Sequence, residues 1–193
     1  VEFDGNATSS DTLIVDGVSY SFPLGDKTTV MVGDNTDGSA LFTTACVYGG
    51  PSNTLDDCGN VNAGITNGGA MVGASYDFGT GFTAAVGYAG PESGIMTEES
   101  FDAYGINAAY TGDNYGVSLT YGVLETSVAD EDTFTALNAY YMPEGFPTVS
   151  FGYEIGEDGS VSELLHKPGS DSLESFFLGL SWDEVGPGSA GLA

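Results

Sequence analysis

The segment from Gly69 to Gly90 reads GAMVGASYDFGTGFTAAVGYAG, and its pattern decides the fold of most of the chain. On both sides of Gly79-Thr80-Gly81, apolar or aromatic residues alternate with small or polar ones. Because successive side chains of a β-strand point to opposite faces, this alternation predicts two strands, each with one bulky apolar face and one small polar face. The two glycines permit the positive φ angles of a tight connection. The segment is therefore predicted to form a β-hairpin.

The same alternation recurs before and after this hairpin. It predicts further strands at residues 12–22, 28–33, 101–111, 115–121, 133–142, 149–155 and 176–182, and the start of another after residue 186. We call the two sets of alternate residues in a strand, which point to opposite faces, its two parities. In the segment 133–142 both parities carry apolar residues, so the assignment of its faces stays open. Short turns around Gly25, Thr80, Asp113, Gly145 and Gly186 alternate with longer loops at 34–67, 90–100, 125–132 and 156–173. We therefore expect one all-β domain over residues 1–193, with antiparallel strands in up-and-down order.

The composition is typical of a strand-rich protein and argues against one class of partner. The chain has 193 residues with 30 Gly, 11 Tyr and 11 Phe, which suit turns and strands better than helices. Lys27 and Lys167 are its only cations against 28 Asp and Glu, for a formal net charge of −26, which argues strongly against any nucleic-acid partner. Three explanations of the acidity stay open: a solvated surface like that of halophilic proteins, acidic loops that attract cations at a pore mouth, and a calcium binder with several sites.

The bulky parity carries aromatic residues next to the short turns. A row of rings at one height is typical of the interface between a membrane and water, and bulky residues outside with small ones inside are typical of a transmembrane β-barrel. The predicted lipid-interface aromatics are Phe22, Tyr76, Phe78, Phe82, Tyr110, Tyr115, Tyr141 and Trp182. Ordinary cross-strand pairs within hairpins are the alternative explanation.

The opposite, polar parity is predicted to line a water-filled pore. The candidate pore-lining residues are Ser75, Asp77, Thr83, Asn107, Ser118, Thr120, Ser150 and Glu154. Such a wall hydrates solutes without binding them tightly, and its only charges are negative. We therefore expect a channel that favours cations over anions, with screening over about 10 Å at 0.1 M salt.

The two cysteines, Cys46 and Cys58, lie twelve positions apart in one glycine-rich loop. Two cysteines and no others suggest a disulfide, which would stabilise the fold by about 3 kcal/mol in the chain-entropy model. A disulfide would also place this loop in an oxidising compartment such as the periplasm or the cell surface. Two unpaired thiols are the alternative.

Catalytic and metal-binding patterns are weak throughout the sequence. His166 is the one histidine, it stands beside Lys167, and we interpret it as a solvated surface residue. The run Asp34-Asn35-Thr36-Asp37-Gly38 starts like a calcium loop but lacks the alternating oxygen ligands and the closing Glu. We therefore predict no catalytic residues, no metal site and no cofactor. No window approaches the roughly 20 apolar residues of a transmembrane helix, and no signal peptide is recognised.

Several stretches resemble a known family. They are VSYSFPLGD at 18–26 with TVMVG at 29–33, the hairpin at 73–88, YTGDNYGV at 110–117 and GLSWD at 179–183. These stretches resemble the cyanobacterial outer-membrane porins of the carbohydrate-selective and iron-uptake porin family. In that family, an N-terminal S-layer-homology domain precedes a long β-barrel.

The resemblance implies a bacterial outer-membrane porin for passive diffusion of inorganic ions, including iron, and of small hydrophilic solutes. The chain would then be a barrel fragment, incomplete at both ends, with about nine to ten strands of a barrel of about 16. Its partners would be outer-membrane lipid and its cargo, with a homotrimer suggested by general porins. Contact with peptidoglycan or the cell wall would occur only through the missing N-terminal domain.

Two other classes remain as alternatives. A soluble, secreted β-sandwich or S-layer-like surface protein with a structural or adhesive role would need the apolar parity to be buried against a second sheet. A hydrolase on a β-scaffold would need an acid and a base in one cleft, for which Asp77 and Glu154 are the best candidates.

Overall fold

Ten β-strands form one antiparallel sheet. The computed structural model describes residues 17–48, 58–65, 68–97, 100–127, 130–157, 172–185 and 188–192, and these residues contain no helix, hence none that could span a membrane. The strands are β1 (Val18–Leu24), β2 (Thr28–Asp34), β3 (Ala70–Asp77), β4 (Phe82–Gly90), β5 (Ala103–Thr111), β6 (Tyr115–Ser127), β7 (Asp130–Tyr141), β8 (Thr148–Glu157), β9 (Ser172–Val185) and β10 (Gly188–Leu192). They pair in chain order, which confirms the predicted all-β, up-and-down arrangement. Within the described strands β1 and β10 end the sheet on either side without pairing to each other, so the sheet is open.

The predicted hairpin is confirmed as β3 and β4. Tyr76 pairs with Ala84 in an unbroken antiparallel register. At the turn, Gly79 and Gly81 have φ angles of 79° and 84°, the left-handed region that glycine adopts without strain. The Asp77 carboxylate accepts a hydrogen bond of 2.7 Å from the Gly79 N–H, which fixes the start of the turn.

The predicted acidic loop at 125–132 is wrong. β6 continues to Ser127 and β7 begins at Asp130, with Glu125 paired to Glu131 and an irregularity between Glu125 and Ser127. The carboxylates do not prevent pairing because they lie at the end of the sheet, where Glu131 is exposed to solvent. Charge alone was therefore a poor marker of a loop at this position.

The structure settles the faces of β7, which the sequence left open. Phe134 and Tyr140 are buried on the polar face of the sheet, whereas Leu137 and Tyr141 are exposed on the other. Glycines make room for the two buried rings: a Cβ at Gly156 would overlap Phe134, and a Cβ at Gly116 would overlap Tyr140. Pairing a large ring with a cross-strand glycine lets the polar face hold aromatic residues without widening the sheet.

The sheet thus has an outer face and an inner face of different character. The outer face carries the bulky parity and is exposed, as Val86 and Ile106 show with 53% and 57% of their surface accessible. The inner face carries the polar parity and is covered by the β2–β3 connection. Two small apolar clusters lie in this interface, one around Ile65, Met71, Ala89 and Ala103 and one of Ala63, Phe134 and Ala136.

Candidate functional site on the inner face

The connection between β2 and β3 crosses the inner face as a two-limbed strap, defined here as residues 35–48 and 58–65. In its outbound limb, residues 35–48, three alternate N–H groups donate to polar side chains of the sheet. The donor and acceptor pairs are Thr43 N to Asn107 Oδ1 at 2.9 Å, Ala45 N to Ser118 Oγ at 2.8 Å, and Val47 N to Ser150 Oγ at 3.3 Å. These acceptors belong to β5, β6 and β8, so an extended limb crosses the strands and satisfies its backbone on them.

The return limb, residues 58–65, is held by Glu154. Its carboxylate accepts hydrogen bonds from the Asn62 N–H at 2.9 and 3.1 Å, from Asn62 Nδ2 at 2.8 Å and from the Ala63 N–H at 2.9 Å. Only 1% of the surface of Glu154 is accessible. A carboxylate so deeply buried needs several donors to replace its water, and backbone N–H groups of the limb supply them. Glu154 is therefore an anchor of the strap.

A disulfide joins the two limbs. Cys46 on the outbound limb and Cys58 on the return limb are bonded, with their Cα atoms 6.4 Å apart, which confirms the predicted pair. The sheet holds the return limb at the same place: Asn138 Nδ2 donates to the Cys58 carbonyl at 2.8 Å, and Ser175 Oγ donates to the Gly59 carbonyl at 2.8 Å. The strap is thus cross-linked to itself and hydrogen-bonded to the strands below it.

A row of glycines lets the strap lie directly on the sheet. Gly73, Gly87, Gly105 and Gly122 are paired in register across β3, β4, β5 and β6. A Cβ at Gly87 would overlap the Gly38 carbonyl oxygen, and one at Gly122 would lie 3.0 Å from the Ala63 carbonyl oxygen. Sequence reasoning treated these glycines only as small residues of the polar face. Their role in making room for the strap follows from their alignment in one row across the four strands. This alignment can be recognised only once the strand pairing is known.

All eight candidate pore-lining residues lie on the inner parity, but the strap divides them. Asn107, Ser118, Thr120, Ser150 and Glu154 are buried under it. Ser75 and Thr83 are half-buried, and Asp77 is exposed beside its turn. Their contact with a solute stays a prediction. Asp77 and Glu154 lie on β3 and β8, five strands apart, so the structure does not bring the best acid and base candidates together.

The candidate interface aromatics lie together on the outer face, near the short turns. Ring contacts connect several of them, with centroid distances of 4.8 Å for Tyr76 and Phe78, 4.7 Å for Phe82 and Tyr110, and 5.5 Å for Tyr110 and Tyr115. Tyr115 and Tyr141 are also exposed, and Phe22 and Trp182 are partly buried on the same face. Their contact with lipid stays a prediction.

In the described ranges, no group of three or more Asp, Glu, His or Cys side chains could hold a metal ion. His166 and Lys167 lie outside those ranges.

In comparisons with known proteins, no protein-family model matches the chain and no curated protein matches it.

Proposed function

We propose that the chain is part of an outer-membrane porin, a β-barrel whose inner face borders a water-filled channel for passive diffusion. The observation that carries this proposal is the contrast between the two faces: the chain covers the polar face with its own strap and leaves the apolar face uncovered over the described residues. The proposal places the outer face in lipid and the inner face towards the channel.

The extent of the apolar face argues against a soluble protein. Exposed bulky side chains continue from β3 to β9, among them Val72, Ile106, Leu119, Phe151 and Leu178. Soluble monomers rarely expose contiguous apolar patches larger than a few hundred Å². A β-sandwich would cover this face with a second sheet, but the covering layer supplied by the described chain lies on the opposite side. Lipid is the solvent that suits such a face.

Among the described strands, β1 and β10 each have a neighbour on one side only, and this supports a barrel larger than ten strands. Lipid does not tolerate unpaired backbone groups, so β1 and β10 need further strands beside them in a membrane. Porins with an aqueous channel need about 16 strands, which is the size expected here. The additional strands close the sheet and remove its edges.

The strap limits the size of the solutes that the channel can pass. Inside a barrel it occupies part of the lumen, and this favours inorganic ions and other small hydrophilic solutes over large ones. The negative charge of the chain and the exposed carboxylate of Asp77 on the inner face favour cations. The family resemblance adds iron to the cations expected. The disulfide fits an oxidising location such as the outer membrane.

Single-channel recording tests the proposal. The full-length protein, reconstituted in a planar bilayer, is expected to open in steps, with a reversal potential across a KCl gradient that shows preference for K⁺ over Cl⁻. Absence of any conductance, together with a monodisperse protein in buffer without detergent, would instead support the secreted surface-protein alternative.

A further inference from the structure

A cleft of about 700 Å³ opens at the edge of the outer face, away from the short turns. Its floor is the outer face itself, with Val72, Tyr88 and Tyr104 on β3, β4 and β5. Its wall is the β4–β5 connection, which contributes Ile95 and Met96. Met96 is one of the most exposed apolar side chains of the described protein, with 80% of its surface accessible. The cleft is therefore a partly apolar site at one rim of the outer face.

A buried carboxylate holds the wall of this cleft in place. Asp102 is only 3% accessible, and its Oδ1 accepts hydrogen bonds from Tyr88 OH at 2.9 Å and from Ser100 Oγ at 2.7 Å. Its Oδ2 accepts one from the Met96 N–H at 2.9 Å. These three bonds fix the connection against β4, so the cleft is held in shape by a satisfied polar network.

The cleft has the chemistry of a site for an organic cation. Tyr88 and Tyr104 stand directly opposite each other in the register of β4 and β5, and Glu125 lies beside them at the end of β6. The Glu125 carboxylate receives a long contact of 3.4 Å from the Asp102 N–H, which leaves acceptor capacity for a ligand. Aromatic faces next to a carboxylate attract ammonium groups through cation–π and charge-assisted contacts.

An apolar groove follows on the same strands. It has a volume of about 480 Å³, and Ala74, Ala84 and Ala108 form its low floor between the taller side chains of Tyr76 and Leu119. Ala74 is two residues from Val72 along β3, so the groove starts about 7 Å from the cleft. A head group in the cleft and a hydrocarbon chain in the groove would be connected along β3, from Val72 to Ala74, with Val86 and Ile106 beside this path on β4 and β5.

We propose that the cleft and the groove together bind one membrane lipid with an ammonium head group. The ammonium contacts Glu125 and the rings of Tyr88 and Tyr104, and an acyl chain lies over the three alanines. Charge complementarity selects this occupant, because the Glu125 carboxylate and the rings of Tyr88 and Tyr104 line the cleft together. The proposal rests on the proposed function, since it needs the outer face to lie in lipid.

Lipid retention measures this binding directly. The full-length protein, purified in a non-ionic detergent, is incubated with equal amounts of phosphatidylethanolamine and phosphatidylglycerol, and the retained lipids are counted by native mass spectrometry. Wild type is expected to retain several-fold more phosphatidylethanolamine than phosphatidylglycerol. Glu125→Gln is expected to retain about five-fold less phosphatidylethanolamine than wild type. Glu157→Gln is the matched control, because it removes one exposed carboxylate from the end of β8, outside the cleft.

A second variant examines the groove. Ala108→Leu fills its floor from an exposed position and is expected to lower retention of both lipids while leaving the head-group preference in place. Equal retention of the two lipids by wild type, or unchanged retention in both Glu125→Gln and Ala108→Leu, would overturn the lipid site. If the protein conducts in bilayers but shows no preference between the two lipids, only the proposed lipid site is refuted. If the protein is soluble without detergent, the proposed porin function itself is contradicted.

Discussion

Replacement of Gly152 by alanine tests whether the strap lies on the sheet as described. A Cβ at this position would overlap the carbonyl oxygen of Cys58 and lie 2.9 Å from Asn138 Nδ2. The overlapped atom belongs to the backbone of a residue that is also held by the disulfide, so it cannot turn aside as a flexible side chain could. The return limb must therefore rise from the sheet.

The expected cost follows from the contacts that this movement breaks. Overpacking of a close contact costs about 1–3 kcal/mol. The hydrogen bonds from Asn138 to Cys58 and from Ser175 to Gly59 are each worth about 0.5–1.5 kcal/mol. We expect Gly152→Ala to lower the free energy of unfolding by between about 2 and 6 kcal/mol, the sum of these ranges.

Two measurements on the full-length protein check this expectation. Urea unfolding in detergent, followed by the fluorescence of Trp182, gives the change in stability. The rate at which dithiothreitol reduces the Cys46–Cys58 disulfide should rise, because a raised limb exposes the buried Cys58. Gly73→Ala is the control: Gly73 belongs to the glycine row under the strap, but a Cβ there would meet its nearest neighbour at an ordinary 3.5 Å. If Gly152→Ala matches this control in both measurements, the described contact is absent.

Three further predictions concern the strap and the outer face. Glu154→Gln should lower the free energy of unfolding by about 1.5–3 kcal/mol, because its donors lose a charged acceptor; a change near zero in urea unfolding would contradict the anchor role. Replacement of both Cys46 and Cys58 by serine should cost about 3 kcal/mol, and wild type in dithiothreitol should then unfold like the variant; a persisting difference would mean that the disulfide is not the cause. Leu119→Arg should weaken folding into phospholipid vesicles by about 2–4 kcal/mol if the outer face meets lipid, whereas a soluble protein would tolerate a charge at this exposed site.

The strands were predictable because their sequences alternate strictly. The run from Tyr115 to Tyr121 has one bulky and one small parity, and β6 contains it as expected. β7 has apolar residues on both parities, and its faces depend on Gly116 and Gly156 in the neighbouring strands. A period of two assigns faces only where the two sides of a strand differ in polarity.

The covering of the inner face could not be predicted from local sequence. The strap's hydrogen bonds connect residues that are far apart in the chain, 64 positions for Thr43 and Asn107 and 103 positions for Val47 and Ser150. Periodicity reports which face a side chain takes and says nothing about what covers that face. The polar parity was identified correctly, but the layer above it came from a segment read only as a loop.

The spacing of the strap's anchors also bears on how the strands find their alignment. Thr43, Ala45 and Val47 each donate to a different strand, and each acceptor stands on the inner parity. A slip of one residue in any of these strands would turn an apolar side chain of the outer parity towards the strap and leave an N–H of the strap without its acceptor. The strap therefore fixes β5, β6 and β8 in register with one another, because each of these strands must present an acceptor where the strap crosses it.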